Sequence, residues 1–314
     1  MAAPHHILLL FVDGLGIGEA DETCNPCCQP GLKYFNHFLT QTFPRPLKGG
    51  GFALGLDAGL GLPGLPQSAT GQTALLTGVN SAQAIGRHLN GFPNQALREI
   101  LARSSILSTI VKRGYDAAFL NTFRPPFFDY APQDILRFLS ATTVSNLYAE
   151  LPFFDLDDLA AERSVYQDLT GEALVADGFN VPVFSVEKAG EIVGRRSRDF
   201  HFTLFEYFQT DRAGHSRDLA RASQELLKLE LFLETVLAHV DLSDTLVLLT
   251  SDHGNIENVC VKGHTVNPAM TLLFGCCARE TAAQLFSILD VTPAILHWLP
   301  ERPRKSSISP VLEP

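Results

Sequence analysis

The chain has 314 residues, 46% of them apolar and 18% charged, which is enough to bury a substantial hydrophobic core. Its formal net charge of −10 argues against a nucleic-acid partner, which requires a basic surface, but a phosphorylated substrate stays open because bound metal ions can reverse a local field. A membrane-spanning helix needs ~20 apolar residues; no stretch approaches that length, so we expect no membrane partner.

The first predicted element is a buried strand over residues 7–12. These residues are continuously apolar, as expected for a parallel strand covered on both faces. A signal peptide would place a basic residue before a longer apolar run. Here no basic residue precedes the run and Asp13 ends it, so we expect a cytoplasmic protein.

Six cysteines occur along the chain. They are Cys24, Cys27, Cys28, Cys260, Cys276 and Cys277. Without an export signal, reduced thiols are expected rather than a disulfide framework. The first three could form half of a zinc site, but no second half with the required spacing follows. We therefore interpret them as loop thiols.

Four further apolar runs predict strands at residues 117–120, 202–208, 245–250 and 270–274. Between residues 219 and 240, leucines recur at spacings of three, four and seven, which predicts a helix with one buried face. Strands that alternate with helices imply an α/β fold with a mainly parallel sheet. Residues 123–165 fit this rhythm poorly and are predicted to form a small insertion or cap. With no linker or repeat visible, residues 1–314 are predicted to form a single domain.

Residue types that bind metals follow several of these strands. They are Asp13 after the first, Asp211 and His215 after the third, Asp252 and His253 after the fourth, and His264 before the last. In an open α/β sheet, ligands bind outside the carboxyl ends of the strands. Each residue alone has an ordinary explanation as a turn or surface residue, but their joint occurrence at successive strand ends predicts a site. A dinucleotide loop after Asp13 is excluded, because Glu19 stands where the third glycine is needed.

A small, polar stretch at residues 66–73 precedes an expected helix start. A helix N-terminus offers free backbone N–H groups to an anion. Ser68 at that position could act as a nucleophile if a metal lowers the pKa of its hydroxyl. An ordinary helix-capping serine or threonine is the alternative.

Taken together, these segments resemble the alkaline phosphatase superfamily across most of the chain and in the same order. The stretch at residues 13–19 is similar to the opening of phosphopentomutases. The stretches at residues 252–257 and 264–268 are similar to cofactor-independent phosphoglycerate mutases. Ser68, nine residues before the pair Thr77-Gly78, matches the position of the superfamily nucleophile. The resemblance implies an alkaline phosphatase-like, three-layer α/β/α sandwich.

The resemblance also implies a ligand assignment for two divalent metal ions. One ion would be held by Asp211, His215 and His264. The other would be held by Asp13, Asp252 and His253, with the Ser68 oxygen as a further ligand. This mixture of carboxylate oxygens and imidazole nitrogens suits Zn²⁺ or Mn²⁺.

Ser68 is the expected nucleophile, with Thr70 as the alternative because both lie in the same turn. Asn90 and Arg87 lie near the position at which related phosphodiesterases hold a phosphate oxygen. They are the predicted substrate contacts, with ordinary loop residues as the alternative.

The preferred function is a two-metal phosphoester hydrolase, a phosphatase or phosphodiesterase, that forms a phosphoserine on Ser68. A sulfatase is excluded because Ser68 does not open the required C/S-x-P-x-R segment. A small-molecule phosphomutase is the main alternative, although the chain leaves little room for a large lid domain. An inactive metal-binding protein on the same fold is the third hypothesis, and it is disfavoured because all seven site positions are present.

Overall fold

The computed structural model describes residues 3–48 and 50–302. The strands in this part of the chain are β1 His6–Val12, β2 Arg45–Pro46, β3 Phe52–Leu56, β4 Ala117–Phe119, β5 Phe202–Tyr207, β6 Thr245–Thr250 and β7 Ala269–Gly275. The α-helices are α1 Ser68–Thr77, α2 Ser81–Ile85, α3 Gln95–Ser104, α4 Ile106–Lys112, α5 Pro125–Phe128, α6 Pro132–Ile135, α7 Ala141–Tyr148, α8 Leu156–Ala160, α9 Glu172–Ala176, α10 Val186–Arg196, α11 Gln209–Ser216, α12 Leu219–His239, α13 Ala278–Ala282 and α14 Val291–Trp298.

The strands form one seven-stranded sheet in the order β2-β3-β7-β6-β1-β5-β4. β1 pairs in parallel with β5 and β6, and β4 pairs in parallel with β5. β7 runs antiparallel to β6 and to β3, and β2 runs antiparallel to β3. Five of the seven strands therefore share one direction, which confirms the predicted mainly parallel sheet.

The alternation of side chains along β1 explains the layers. Ile7 and Leu9 point into a core shared with α1, α3, α4, α7 and α14, whereas Leu8 and Leu10 point into a second core shared with α10 and α12. Successive side chains of a strand face opposite sides, so an all-apolar strand must be covered on both. The predicted three-layer α/β/α sandwich is confirmed.

All five predicted strands are present, and the predicted helix is α12. The sequence analysis did not identify β2 and β3. β3 contains a glycine, and β2 has two residues, so neither shows the apolar run by which the other strands were identified.

The register places the candidate site at one edge of the sheet. Val12 pairs with Tyr207, and Phe11 pairs with Thr250, so β1, β5 and β6 end together. β7 runs the other way, and its first residues lie beside the last residues of β6. The segment before β7, which contains His264, therefore reaches the same edge.

Residues 123–165 form short helices, α5 to α8, with a 3₁₀ turn between α6 and α7. Of these, α7 packs against α1, α3 and α4 and belongs to the first core. The earlier part, through α5 and α6, borders a cavity next to the site. The division of the chain into one domain with a cap stays a prediction.

The prediction of reduced thiols is wrong for two cysteines. Cys24, in the loop after β1, and Cys260, in the loop after β6, are joined by a disulfide bond. Sequence spacing could not reveal it, because 236 residues separate the partners. Disulfide bonds persist mainly in oxidising compartments, so this bond weighs against the predicted cytoplasmic location. Among the described residues no helix is both long and apolar enough to cross a membrane.

Candidate metal centre

The first group of candidate ligands combines Asp13, Asp252 and His253, which follow the adjacent strands β1 and β6. All three are buried, and their ligand atoms lie within 4.8 Å of one another. His253 Nε2 is 3.4 Å from Asp13 Oδ1 and 3.4 Å from Asp252 Oδ2. This geometry suits a single cation between the two carboxylates and the imidazole.

The second group combines Asp211, His253 and His264, again with ligand atoms within 4.8 Å. His264 Nε2 is 3.6 Å from Asp211 Oδ1, and the rings of His253 and His264 stack with centroids 3.8 Å apart. His264 Nδ1 donates to the carbonyl oxygen of Pro66 at 2.8 Å, which fixes the tautomer and turns the Nε2 lone pair towards Asp211.

His215 lies at the margin of the second group. It is one helical turn after Asp211 on α11, and its Nε2 is 3.3 Å from Asp211 Oδ2. Its ring centroid is 5.2 Å from that of His264, and 45% of its side chain is exposed. The structure thus brings His215 beside the predicted ligands, but outside the two closely spaced groups.

Ser68 is the first residue of α1, and its hydroxyl points at the ligands. Ser68 Oγ lies 3.0 Å from His253 Nε2, the atom that faces Asp13 and Asp252. Thr70 is fully buried, and its hydroxyl donates to the carbonyl oxygen of Gln67 and accepts from the backbone N–H of Leu89. This arrangement favours Ser68 over Thr70 as the reactive hydroxyl.

Helix α1 has well-defined ends. Gln67 caps it in an extended conformation, and Gly78 ends it in the left-handed region at φ 70°. All ten residues of α1 are buried, so the helix is held from every side. That packing fixes the direction in which Ser68 presents its hydroxyl.

The charge balance of the cluster favours binding of a cation. Burial, and then repulsion from Asp252, raises the pKa of Asp13 well above its ordinary value. Burial, and then repulsion from Asp211, raises the pKa of Asp252 to about 8. Asp13 Oδ1 and Asp252 Oδ2 are buried without a hydrogen-bond partner, and no Lys or Arg of the described residues pairs with either carboxylate. A divalent cation would relieve this repulsion and satisfy both oxygens.

The two buried histidines are held neutral, as metal binding requires. Burial, and then the neighbouring His264, lowers the pKa of His253 well below its ordinary value. Burial also lowers the pKa of His264. A neutral imidazole keeps a lone pair for a metal ion. The residues present therefore fit a divalent-cation centre.

Glu257 links the loop after β1 to the two ends of the loop between β6 and β7, and both loops carry candidate ligands. Its Oε2 accepts from the backbone N–H groups of Gly16 (2.9 Å) and Asn255 (2.8 Å). Its Oε1 accepts from the Thr265 hydroxyl and from Asn267 Nδ2. A Cβ at Gly16 would lie 2.5 Å from Glu257 Oε1, so glycine is needed there for this close approach.

Two more polar side chains orient the carboxylates. Asn255 Nδ2 donates to Asp211 Oδ1 at 2.6 Å, and Gln72 Nε2 donates to Asp13 Oδ2 at 3.1 Å. The sequence analysis assigned no role to Gln72, Asn255 or Glu257. Asn255 and Glu257 belong to the motif at residues 252–257. The buried, charge-assisted hydrogen bonds of all three residues mark them as supports for the ligands.

A cavity adjoins the cluster and includes Asp13, Ser68 and Asp211 in its lining. Asn90 lies at this cavity, whereas Arg87 is exposed and is not among the lining residues. Glu206, on β5, also lines it; its Oε2 accepts from the Thr142 hydroxyl at 2.6 Å, and burial raises its pKa to about 7. Sequence reasoning missed Glu206, because a single charged residue inside a strand carries no motif.

Comparison with known proteins supports the predicted relationship. Residues 185–299 match the family model described as Metalloenzyme superfamily. The chain is 29% identical over 118 residues to a 2,3-bisphosphoglycerate-independent phosphoglycerate mutase of Desulforudis audaxviator, and 27% identical over 126 residues to one of Dinoroseobacter shibae. The matches span 35% and 38% of this chain, but only 23% and 25% of the relatives.

Solved structures match along nearly the whole chain. A protein of Pyrococcus horikoshii aligns with a TM-score of 0.55 at 14% identity, covering 97% of this chain and 99% of its own. The alkaline phosphatase of the Antarctic bacterium TAB5 aligns with a TM-score of 0.54 at 13% identity, covering 96% and 100%. The predicted resemblance to the alkaline phosphatase superfamily is confirmed, and these two alignments show the fold alone.

Proposed function

We propose that this chain is a two-metal phosphoester hydrolase, a phosphatase or phosphodiesterase, that acts on a small phosphorylated substrate through Ser68. The observation that carries the proposal is the position of Ser68 Oγ, 3.0 Å from His253 Nε2 and facing a cavity large enough for a ligand. A hydroxyl in this position is both accessible to a substrate and adjacent to the candidate metal ligands.

Two divalent ions, Zn²⁺ or Mn²⁺, fit the donor set of carboxylates and neutral imidazoles. Asp211, His264 and His215 would hold one ion, and Asp13, Asp252 and His253 would hold the other, with Ser68 as a further ligand. His253 takes part in both closely spaced groups, so it is the natural boundary between the two sites. When bound, such ions lower the pKa of a nucleophilic hydroxyl and stabilise negative charge on the oxygens of a displacement at phosphorus.

The protein's own residues define the reaction path. Ser68 Oγ forms a bond to phosphorus as it loses its proton, the ester bond opposite breaks, and the leaving alkoxide gains a proton. Water then attacks the phosphoserine and releases phosphate, or a phosphomonoester if the substrate was a diester. Ser68 is also the first residue of α1, and the positive end of the helix dipole favours the negative charge of a phosphoryl group there.

A phosphomutase of small molecules is the second candidate, because both curated relatives named above are phosphoglycerate mutases. A mutase must keep water away from the phosphoserine until the phosphoryl group is returned. Residues 123–165 supply only short helices beside the cavity. We therefore keep hydrolysis as the main proposal.

The test measures hydrolysis of 4-nitrophenyl phosphate and bis(4-nitrophenyl) phosphate after chelation and again after Zn²⁺ or Mn²⁺ is restored. We expect turnover only with metal, and the preferred ester distinguishes a phosphatase from a phosphodiesterase. Acid quenching followed by mass analysis should detect phosphate on Ser68. Transfer of phosphate between two positions of phosphoglycerate, without release, would instead identify a mutase. Bound metal with neither activity would favour an inactive metal-binding protein.

A further inference from the structure

The cavity beside Ser68 has a volume of about 750 Å³. One side is formed by the metal centre, through Asp13, Ser68 and Asp211. The phosphoryl group must lie against Ser68, so the rest of the cavity is the space available to the alcohol part of the ester. Its lining therefore bears on which alcohols fit.

Several aromatic side chains also line the cavity, and we call five of them the aromatic wall. Its members are Phe92, Phe123, Phe127, Tyr130 and Phe138. The ring centroids of Phe123 and Phe127 are 4.5 Å apart, and each lies 4.8 Å from the ring of Phe153 behind them. This ring contact holds part of the wall rigid without a ligand.

The remaining rings of the wall are exposed to water to an unusual degree. Phe92 is 50% exposed, Phe138 is 55% exposed and Tyr130 is 58% exposed. Burying an apolar side chain of this size is favourable, and exposed apolar surface that lines a concave site is typical of ligand contact. Their position beside Ser68 makes the alcohol part of the substrate the natural occupant.

The charges of the cavity agree with a ring-bearing alcohol. Apart from Asp13 and Asp211, the charged lining residues are Arg124, Arg212 and Glu206. Arg124 is paired with Asp177 at 2.7 Å, and Glu206 supplies no positive charge in either protonation state. Within residues 3–48 and 50–302, Arg212 forms no ion pair and is available to a phosphoryl oxygen. A phosphorylated acid such as a phosphoglycerate would need further cations for its carboxylate.

We infer that the aromatic wall is the leaving-group subsite, and that it selects phosphate esters whose alcohol carries an aromatic ring. This inference rests on the proposed function, and it adds the substrate class. Stacking against Phe92 and Tyr130 provides the selectivity, while Ser68 and the metal ligands act on the phosphorus.

The test compares kcat/KM for 2-phenylethyl, 2-cyclohexylethyl and ethyl phosphate in the metal-loaded protein. All three release primary alcohols, so differences report contacts rather than leaving-group chemistry. We expect 2-phenylethyl phosphate to exceed ethyl phosphate by about 10-fold or more and the cyclohexyl ester by about 3-fold. Equal values for phenyl and cyclohexyl esters would overturn the aromatic preference, and equal values for phenyl and ethyl esters would overturn the subsite.

The variant for this test is the double substitution Phe92→Ala/Tyr130→Ala. Both rings are at least half exposed, so their removal should not unfold the chain. We expect the ratio of the phenyl to the ethyl ester to fall about 10-fold, because two ring contacts are removed. The matched control is Phe286→Ala, which removes a ring that is 74% exposed and outside the cavity lining, and should leave the ratio unchanged. An unchanged ratio in the double variant would overturn the inference.

A binding measurement separates this inference from the proposed function. If no ester is hydrolysed, binding of 2-phenylethanol is followed by saturation-transfer NMR on the same full chain. Binding that is present in the starting protein and weakened about 10-fold in the double variant would retain the subsite while the hydrolase proposal fails. Absence of binding would overturn the subsite itself.

Discussion

The metal centre takes its side chains from five separate segments of the chain, whereas four of the five rings of the aromatic wall come from residues 123–138. In the first region, strand ends and buried hydrogen bonds fix each ligand. In the second, rings contact one another and water, and few polar groups constrain them. On the proposed function, the chemistry depends on strands across the sheet, whereas the choice of alcohol depends largely on one short segment.

Ser68→Ala should have the largest effect, and it tests whether the metal centre carries the chemistry and the aromatic wall does not. Removing the nucleophilic hydroxyl should lower turnover by at least about 10³-fold, close to 4 kcal/mol. Metal content, measured by atomic emission, should change little, because Asp13, Asp252 and His253 are still present. By contrast, a wall variant such as Phe92→Ala should change only the relative rates of different esters. Wild-type turnover in the Ser68→Ala protein would show that another group is the nucleophile.

Asp252→Ala tests the centre through its metal content. Asp252 is fully buried with one unsatisfied oxygen, so its loss should weaken metal binding by more than about 100-fold, beyond what loss of a supporting residue causes. Equilibrium dialysis followed by metal analysis measures this. Asp241→Ala, an exposed aspartate before the opposite end of β6, is the control. The same stoichiometry in both variants would contradict the assignment.

Glu206→Gln tests the buried carboxyl group that lines the cavity together with the metal ligands and the aromatic wall. Because the pKa of Glu206 is raised from 4.5 to about 7 by burial, the protonated form stabilises the fold. That contribution is complete below pH 4.5 and is lost as the pH rises through about 7. Glutamine cannot ionise, so the variant should gain up to about 3 kcal/mol relative to the wild type between pH 4.5 and 8.

Urea unfolding of the chelated protein at pH 5 and at pH 8 measures this gain in the free energy of unfolding. Glu187→Gln, at an exposed position in the first turn of α10, is the matched control and should show no such pH dependence. A difference between wild type and Glu206→Gln that is the same at both pH values would refute the assignment.

Glu257→Gln should have the smallest of these effects. The amide N–H₂ would replace one carboxylate oxygen and face two hydrogen-bond donors, either Gly16 and Asn255 or Thr265 and Asn267. The loops beside the ligands should loosen, and metal affinity should fall about 10- to 100-fold, as for other residues that support metal ligands. Asn267→Ala removes one of the four donors and should lower the affinity less. An Asn267→Ala effect larger than that of Glu257→Gln would show that Glu257 is not the centre of this network.

Several site residues could be predicted because they follow strands. Asp13, Asp252 and His253 come directly after apolar runs, and the carboxyl ends of parallel strands meet at one edge. His264 reaches that edge for a different reason, the antiparallel direction of β7, which the apolar run did not reveal. His264 was assigned as a ligand only through the resemblance of residues 264–268 to cofactor-independent phosphoglycerate mutases.

The rest depended on tertiary contacts that leave no local pattern. Glu257 accepts hydrogen bonds from backbone N–H groups and side chains of two loops, and Cys24 forms a disulfide bond with Cys260, 236 residues away. Phe92 lines the same cavity as rings that lie 30 residues or more after it in the chain. Such contacts are properties of the packed molecule. The sequence therefore indicated the residues of the candidate site better than the residues that contact them or the rings of the aromatic wall.

The central position of β1 has a consequence for how the chain is made. β1 is synthesised well before both of its partners, which lie beyond residue 200. At about 5–20 residues per second, its apolar run waits on the order of 10–40 s on the ribosome before β5 exists. Contacts so distant along the chain also slow folding itself. The strand that later carries Asp13 is thus, during synthesis, the segment most in need of a chaperone.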